Sequence, residues 1–141
     1  MATNNYNGEI AITLHHKVYP MKINMEVIAR YQSEGFDYMR VAVRSINALR
    51  KTIGEAPLDQ AQLMTEAVSL TEAATLFYLA SKAMDKTVTF EEIQEAVLYE
   101  GPMMQQDILA DGTIGALESY PIIFANLCIF ATMGVVDAAK K

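Results

Sequence analysis

The chain has 141 residues, 52% of them hydrophobic and 20% charged, with one cysteine and a formal net charge of −6. That balance is the reverse of a disordered chain, and a single thiol excludes an intramolecular disulfide or a cysteine-built zinc or iron–sulfur site. The acidic majority repels phosphate backbones, so nucleic-acid binding is not expected.

Residues 1–7 are polar and expected to be disordered. Ile10, Ile12 and Leu14 then alternate with Glu9, Ala11 and Thr13, which is strand periodicity. After His15-His16 a second extended run, Lys17 to Ile23, contains Pro20, which belongs on an edge strand or at a bulge. The two runs predict a β-hairpin over 8–23, which must lay its apolar face on helices to be stable.

A helical body is predicted over 24–137. Asn24 reads as the N-cap of a short helix, Met25 to Ser33, closed by Gly35. From Phe36 to about Thr52, helical spacing puts Phe36, Met39, Val43, Ile46 and Ile53 on one inward face, with Ala42 and Leu49 beside it. Arg40, Arg44, Asn47 and Lys51 fall on another face. Gly54 to Pro57 breaks the chain, and 58–68 is weakly helical.

Ser69-Leu70-Thr71-Glu72 and Thr89-Phe90-Glu91-Glu92 both match the capping box. They start helices running to about Met84 and Glu100, with Ala73, Leu76, Phe77, Ala80 and Met84 inward in the first and Phe90, Ile93 and Val97 in the second. Residues 103–109 suggest one or two helical turns, and 110–113 a turn. Ser119 reads as the N-cap of a last helix with Pro121 in its first turn, and 138–141 as a loose tail. The fold class is therefore mainly α: one domain, 1–141, with an N-terminal β-hairpin packed on a compact bundle of about five or six helices.

Reactive chemistry finds little purchase in these residues. His15 and His16 are adjacent, so on a strand they point to opposite faces and do not readily share an ion; a turn is the simpler role. Cys128 sits in an apolar helix with no histidine nearby in sequence, which suits a core thiol better than a nucleophile. Glu91, Glu92, Glu95 and Glu100 alternate with a buried stripe and read as a solvated face. Glycine-rich phosphate loops, GxSxG and HExxH are absent from the sequence. No enzyme activity, cofactor or metal is expected.

The charge is uneven. Residues 1–51 carry seven Lys/Arg against four Asp/Glu, net +3, and residues 52–141 carry four against thirteen, net −9. The asymmetry is either an ordinary solvated surface or a means of steering self-association or contact with a basic partner. The start of the chain lacks the basic-then-apolar pattern of a secretory signal. The longest apolar run, 122–136, contains Asn126 and Thr132 and falls short of the roughly 20 residues a bilayer needs, so no membrane span is expected. A helix this apolar is covered on every side, either as the centre of the fold or as an interface shared with another chain. Nine methionines add side chains able to fit several partner shapes.

Tyr19-Pro20-Met21-Lys22-Ile23-Asn24-Met25 runs from a strand into a helix. This segment resembles the N-terminal signature of tail assembly chaperones from long-tailed, siphovirus-type phages and prophages. In those proteins a β-hairpin leads through a turn of the type YPLKFNM into a helical body. The Thr89–Ile93 helix start and the aliphatic last helix are similar to that body. The likeness covers most of the chain in layout and a short part of it in residue pattern.

The resemblance implies a non-catalytic protein of the host cytoplasm, absent from the mature virion. It would bind the tape measure protein, keep it soluble and recruit tail tube subunits. It would also correspond to the short form where a frameshifted longer form exists. The candidate partner-binding residues are Met103, Met104, Tyr120, Phe124, Phe130 and Met133. Alternatives are a structural tail component, such as a tail completion or connector subunit, and a small helical regulatory module.

Overall fold

The alternation at Ile10, Ile12 and Leu14 produces strand β1 (Glu9–Leu14), which pairs antiparallel with β2 (Lys17–Lys22). The computed structural model describes residues 9–52, 67–101 and 119–139, with side chains through Lys51 in the first segment and through Ala131 in the last. Several expectations lie outside those residues: the ends of the chain, Ile53, the break at 54–57, the weak helix up to residue 66, and the turns between 103 and 113.

Ile10 pairs with Met21 and Ile12 with Tyr19, in a continuous register without a bulge. Ile12, Leu14, Tyr19 and Met21 are buried, while Ala11, Thr13, Val18 and Pro20 face outward. Of the two expected settings for Pro20 the edge is the one found, since both strands of a two-stranded sheet are edges. His15 and His16 form a two-residue turn with φ of +52° and +64°. Positive φ at both central residues is what a type I′ hairpin demands, because its twist matches that of the strands.

The first helix, α1 (Met25–Ser33), begins where Asn24 Oδ1 accepts the Val27 N–H at 2.8 Å, and the chain turns away from it at Gly35, with φ of +100°. It is followed by α2 (Tyr38–Thr52), α3 (Leu70–Lys82), α4 (Phe90–Glu100) and α5 (Tyr120–Ala139). A hairpin followed by five helices among the described residues matches the predicted class.

Both halves of the capping box form at α3. The Ser69 N–H donates to Glu72 Oε1 at 2.9 Å, and the Glu72 N–H donates to Ser69 Oγ at 3.1 Å. At α4, Thr89 Oγ1 accepts the Glu92 N–H at 3.2 Å, but the Glu92 carboxylate reaches across to the hairpin. At α5 the helix starts where expected, yet Ser119 Oγ is buried without a partner among the described residues, so its side chain is not the capping acceptor.

The inward face of α2 overlaps the expected one at Phe36, Ile46, Ala42 and Leu49 and departs from it at Met39 and Val43. Tyr38, Val41, Ala42, Ser45, Ala48 and Leu49 are buried, whereas Met39 is 57% and Val43 50% exposed. The buried set follows an i, i+3, i+4, i+7 spacing built on small residues, and α5 packs along this helix. Ser45 is tolerated there because its Oγ donates to the Val41 carbonyl at 2.8 Å. Met84, expected inward, lies beyond the end of α3 and is exposed.

The hairpin lies on α3 and α4, α1 packs on α3, and α5 lies against α2 and α3. Tyr31, Phe77, Phe124, Leu14, Met21, Leu76, Ile93 and Leu127 fill the centre. The Phe77 and Phe124 rings meet edge to face at 5.7 Å, a favoured aromatic geometry. Tyr31 donates its hydroxyl to the Glu72 carbonyl at 2.9 Å, tying α1 to α3. Arg44 ion-pairs with the Glu72 carboxylate, tying α2 to the same turn. Arg44, grouped by its spacing with Arg40, Asn47 and Lys51, is thus half-buried in an inter-helix contact.

Candidate protein-interaction surface

From residue 120 to 131 the last helix is covered largely by its own fold. Tyr120, Ile122, Phe124, Ala125, Leu127, Cys128 and Ala131 are buried, and Ile123, Ile129 and Phe130 are half-buried. Asn126 is the exposed residue of this stretch. Between the two expectations for this helix, the described portion is the centre of the fold. This corrects two of the proposed partner residues. Tyr120 is buried beneath the bundle and Phe124 packs on Phe77, so neither is available on the surface of the free chain. Phe130 remains partly accessible. Met103 and Met104 lie outside the described residues, as does the side chain of Met133.

Apolar surface appears elsewhere. Met39 and Val43 are one turn apart on the outer side of α2, so their side chains are neighbours on the helix. Exposed Arg40 and Asn47 flank them. Met25 is 74% exposed at the start of α1, directly after the strand-to-helix junction. Met84 lies just past α3. Three of the large exposed apolar residues are therefore methionines, whose flexible thioether chains adapt to varied partners. The reading from sequence placed Met39 and Val43 inward. The small residues Ala42, Ser45 and Ala48 were the signal that the helix turns the other way.

At the far end of the hairpin a polar and aromatic cluster joins the turn to α4. The His15 ring stacks on Tyr99 at 4.0 Å, His16 Nε2 and the Tyr99 hydroxyl are 2.7 Å apart, and the His15 N–H donates to Glu100 Oε2 at 2.7 Å. About two turns earlier on α4, Glu92 Oε2 accepts from Lys17 Nζ and from the Tyr19 hydroxyl, both at 2.8 Å. These two donors hold the Glu92 carboxyl below its ordinary pKa. Partial burial, reinforced by Glu92, pushes the Tyr19 phenol up to about 12. Glu92 and Glu100, expected on a solvated face, are the acids that fasten the hairpin to α4. The histidines serve the turn, with ring centroids 6.2 Å apart and tilted by 54°. Among the described residues no group of three or more His, Cys, Asp or Glu is placed to hold a metal ion.

The chain matches no family model, no curated protein and no solved structure.

Burial pushes the Cys128 thiol up to about 12, with Tyr38 opposing weakly through a hydrogen bond. At neutral pH such a thiol is uncharged and unreactive, in keeping with its place in the core. None of the helices is long and apolar enough, over its described residues, to cross a membrane.

Proposed function

We propose that this chain is a tail assembly chaperone of long-tailed phages or prophages: a non-catalytic protein that binds the tape measure protein, keeps it soluble, and recruits tail tube subunits. The observation that carries the reading is the segment Tyr19–Met25. It resembles the chaperone signature in sequence, and it lies at the junction between β2 and α1, the position that signature occupies. The hairpin-then-helices order agrees with the same resemblance.

The chemistry of the surface supports the reading. A long amphipathic client exposes apolar stripes that aggregate unless covered. Met25, Met39 and Val43 offer exposed apolar contacts on helices that bury other residues in the core. Each such contact is small, which suits a partner that tube subunits later displace. Repetition along the client supplies avidity. On this reading the client surface lies on α1 and α2, with the half-buried Phe130 as a further contact.

Co-expression with the tape measure protein from the same genome tests the proposal. The soluble fraction of the client, measured after centrifugation, is expected to rise several-fold. An equally insoluble client with and without this chain overturns the reading. The double variant Met39→Asp/Val43→Asp is expected to melt within a few degrees of the wild type, because both side chains are half-exposed, and to lose most of the solubilising effect. Mass spectrometry of purified virions separates a chaperone, which is absent, from a connector subunit, which remains.

A further inference from the structure

Between the end of β2, the outer side of α1 and the C-terminal turn of α3 lies an open cleft of about 420 Å³. That volume falls in the range of ligand sites, about 300–1,000 Å³. Lys22, Arg30, Lys82 and Lys86 line it against a single carboxylate, Glu26, and Val27 and Leu79 supply apolar floor.

The gathering of these cations is unusual for this chain. Lys82 and Lys86 are the only Lys or Arg between residues 52 and 139, a stretch rich in acids, and both line the cleft. Lys22 joins them from the hairpin, sixty residues away in sequence. Among the described residues none of the three lysines of the cleft has a carboxylate within ion-pair distance. Lys82 Nζ donates to the Tyr78 hydroxyl at 2.9 Å, and Arg30 is held at 3.4 Å by Glu26 one turn away. Like charges gathered around one cleft repel one another, and an anion seated among them relieves that repulsion.

We propose that this cleft binds an acidic peptide segment of a partner polypeptide, with Asp or Glu side chains reaching Lys22, Lys82 and Lys86 and an aliphatic side chain resting on the partly exposed Leu79. Phosphate fits less well. Lysines bind phosphate as point charges, but built phosphate sites add free amides at a helix N-terminus or Arg forks that give directional bonds. Here the Val27 N–H is already taken by Asn24, and the Arg30 guanidinium is shared with Glu26. Glu26 also repels a densely charged polyanion, while an acidic peptide can set a neutral residue beside it. The proposal goes beyond the chaperone reading and holds whichever polypeptide supplies the segment.

Fluorescence anisotropy with a labelled peptide of alternating Glu and Leu at low ionic strength reads the interaction. Saturable binding is expected. The Lys22→Glu/Lys86→Glu variant is expected to bind about tenfold more weakly, and Lys22→Gln/Lys86→Gln about threefold, the milder change guarding against misfolding of the first. Arg40→Glu/Arg50→Glu changes net charge equally on α2 and is expected to leave binding within about twofold. The same peptide with Gln for Glu is expected not to bind. Absence of saturable binding, equal affinity for the Gln peptide, or equal loss in the α2 control overturns the proposal. So does displacement of the peptide by inorganic phosphate at matched ionic strength, which would mark a small-anion site.

Discussion

Glu92 shows how one side chain changes role with its surroundings. Its spacing from Thr89 suits the reciprocal half of a capping box, yet its carboxylate is more strongly solicited by Lys17 Nζ and the Tyr19 hydroxyl, each at 2.8 Å. Two donors, one of them a cation, outweigh a single backbone amide, so the cap keeps only its Thr89 half. Because the folded pKa of Glu92 is lowered, its contribution to stability is present above the ordinary value of 4.5 and is lost as pH falls through the lowered one. Glu92→Gln is therefore expected to destabilise the protein by less than about 1 kcal/mol at neutral pH, given the partial exposure of the pair. The difference should vanish in acid, where wild type and variant carry the same charge. Urea denaturation at pH 7 and at successively lower pH measures both, and a gap that stays constant as the pH falls well below the ordinary carboxylate range would assign the effect to packing instead.

Helix starts were legible because caps are local. Asn24, Ser69 with Glu72, and Thr89 each bond an amide three residues on, and four consecutive residues suffice to recognise them. Ser69→Ala removes one half of a complete box and is expected to cost about 1 kcal/mol in a thermal or urea melt, with little change in the denaturant slope. The face of α2 was not legible in the same way. Met39 and Val43 are the more hydrophobic residues, but burial followed the side that lets α5 come close, where Ala42, Ser45 and Ala48 sit. That choice depends on a helix more than seventy residues later. Ser119 failed as a cap for a related reason, since its hydroxyl is enclosed by the packing rather than turned to the helix amides.

For the molecule as a whole, class and element order followed from periodicity and capping, whereas the surface did not. The last helix announces itself as apolar on every side, and a sequence cannot say whether its cover comes from within or from another chain. In the described portion the cover is α2 and α3. The charge asymmetry likewise looked like a division between two halves, but the cleft is assembled from both, with Lys22 and Arg30 from one and Lys82 and Lys86 from the other. Distant residues meet only once the fold exists. The same dependence governs the hairpin. Two histidines at positive φ make a turn that resists closing by itself, and its compensation comes from Tyr99 and Glu100, contributed more than eighty residues downstream. The β-ribbon should consequently be a latecomer on the folding route, zipping shut only after α4 has formed a platform for it. In stopped-flow kinetics Tyr99→Ala should speed unfolding while leaving the refolding rate almost untouched, and slower refolding would place the ribbon in the nucleus instead.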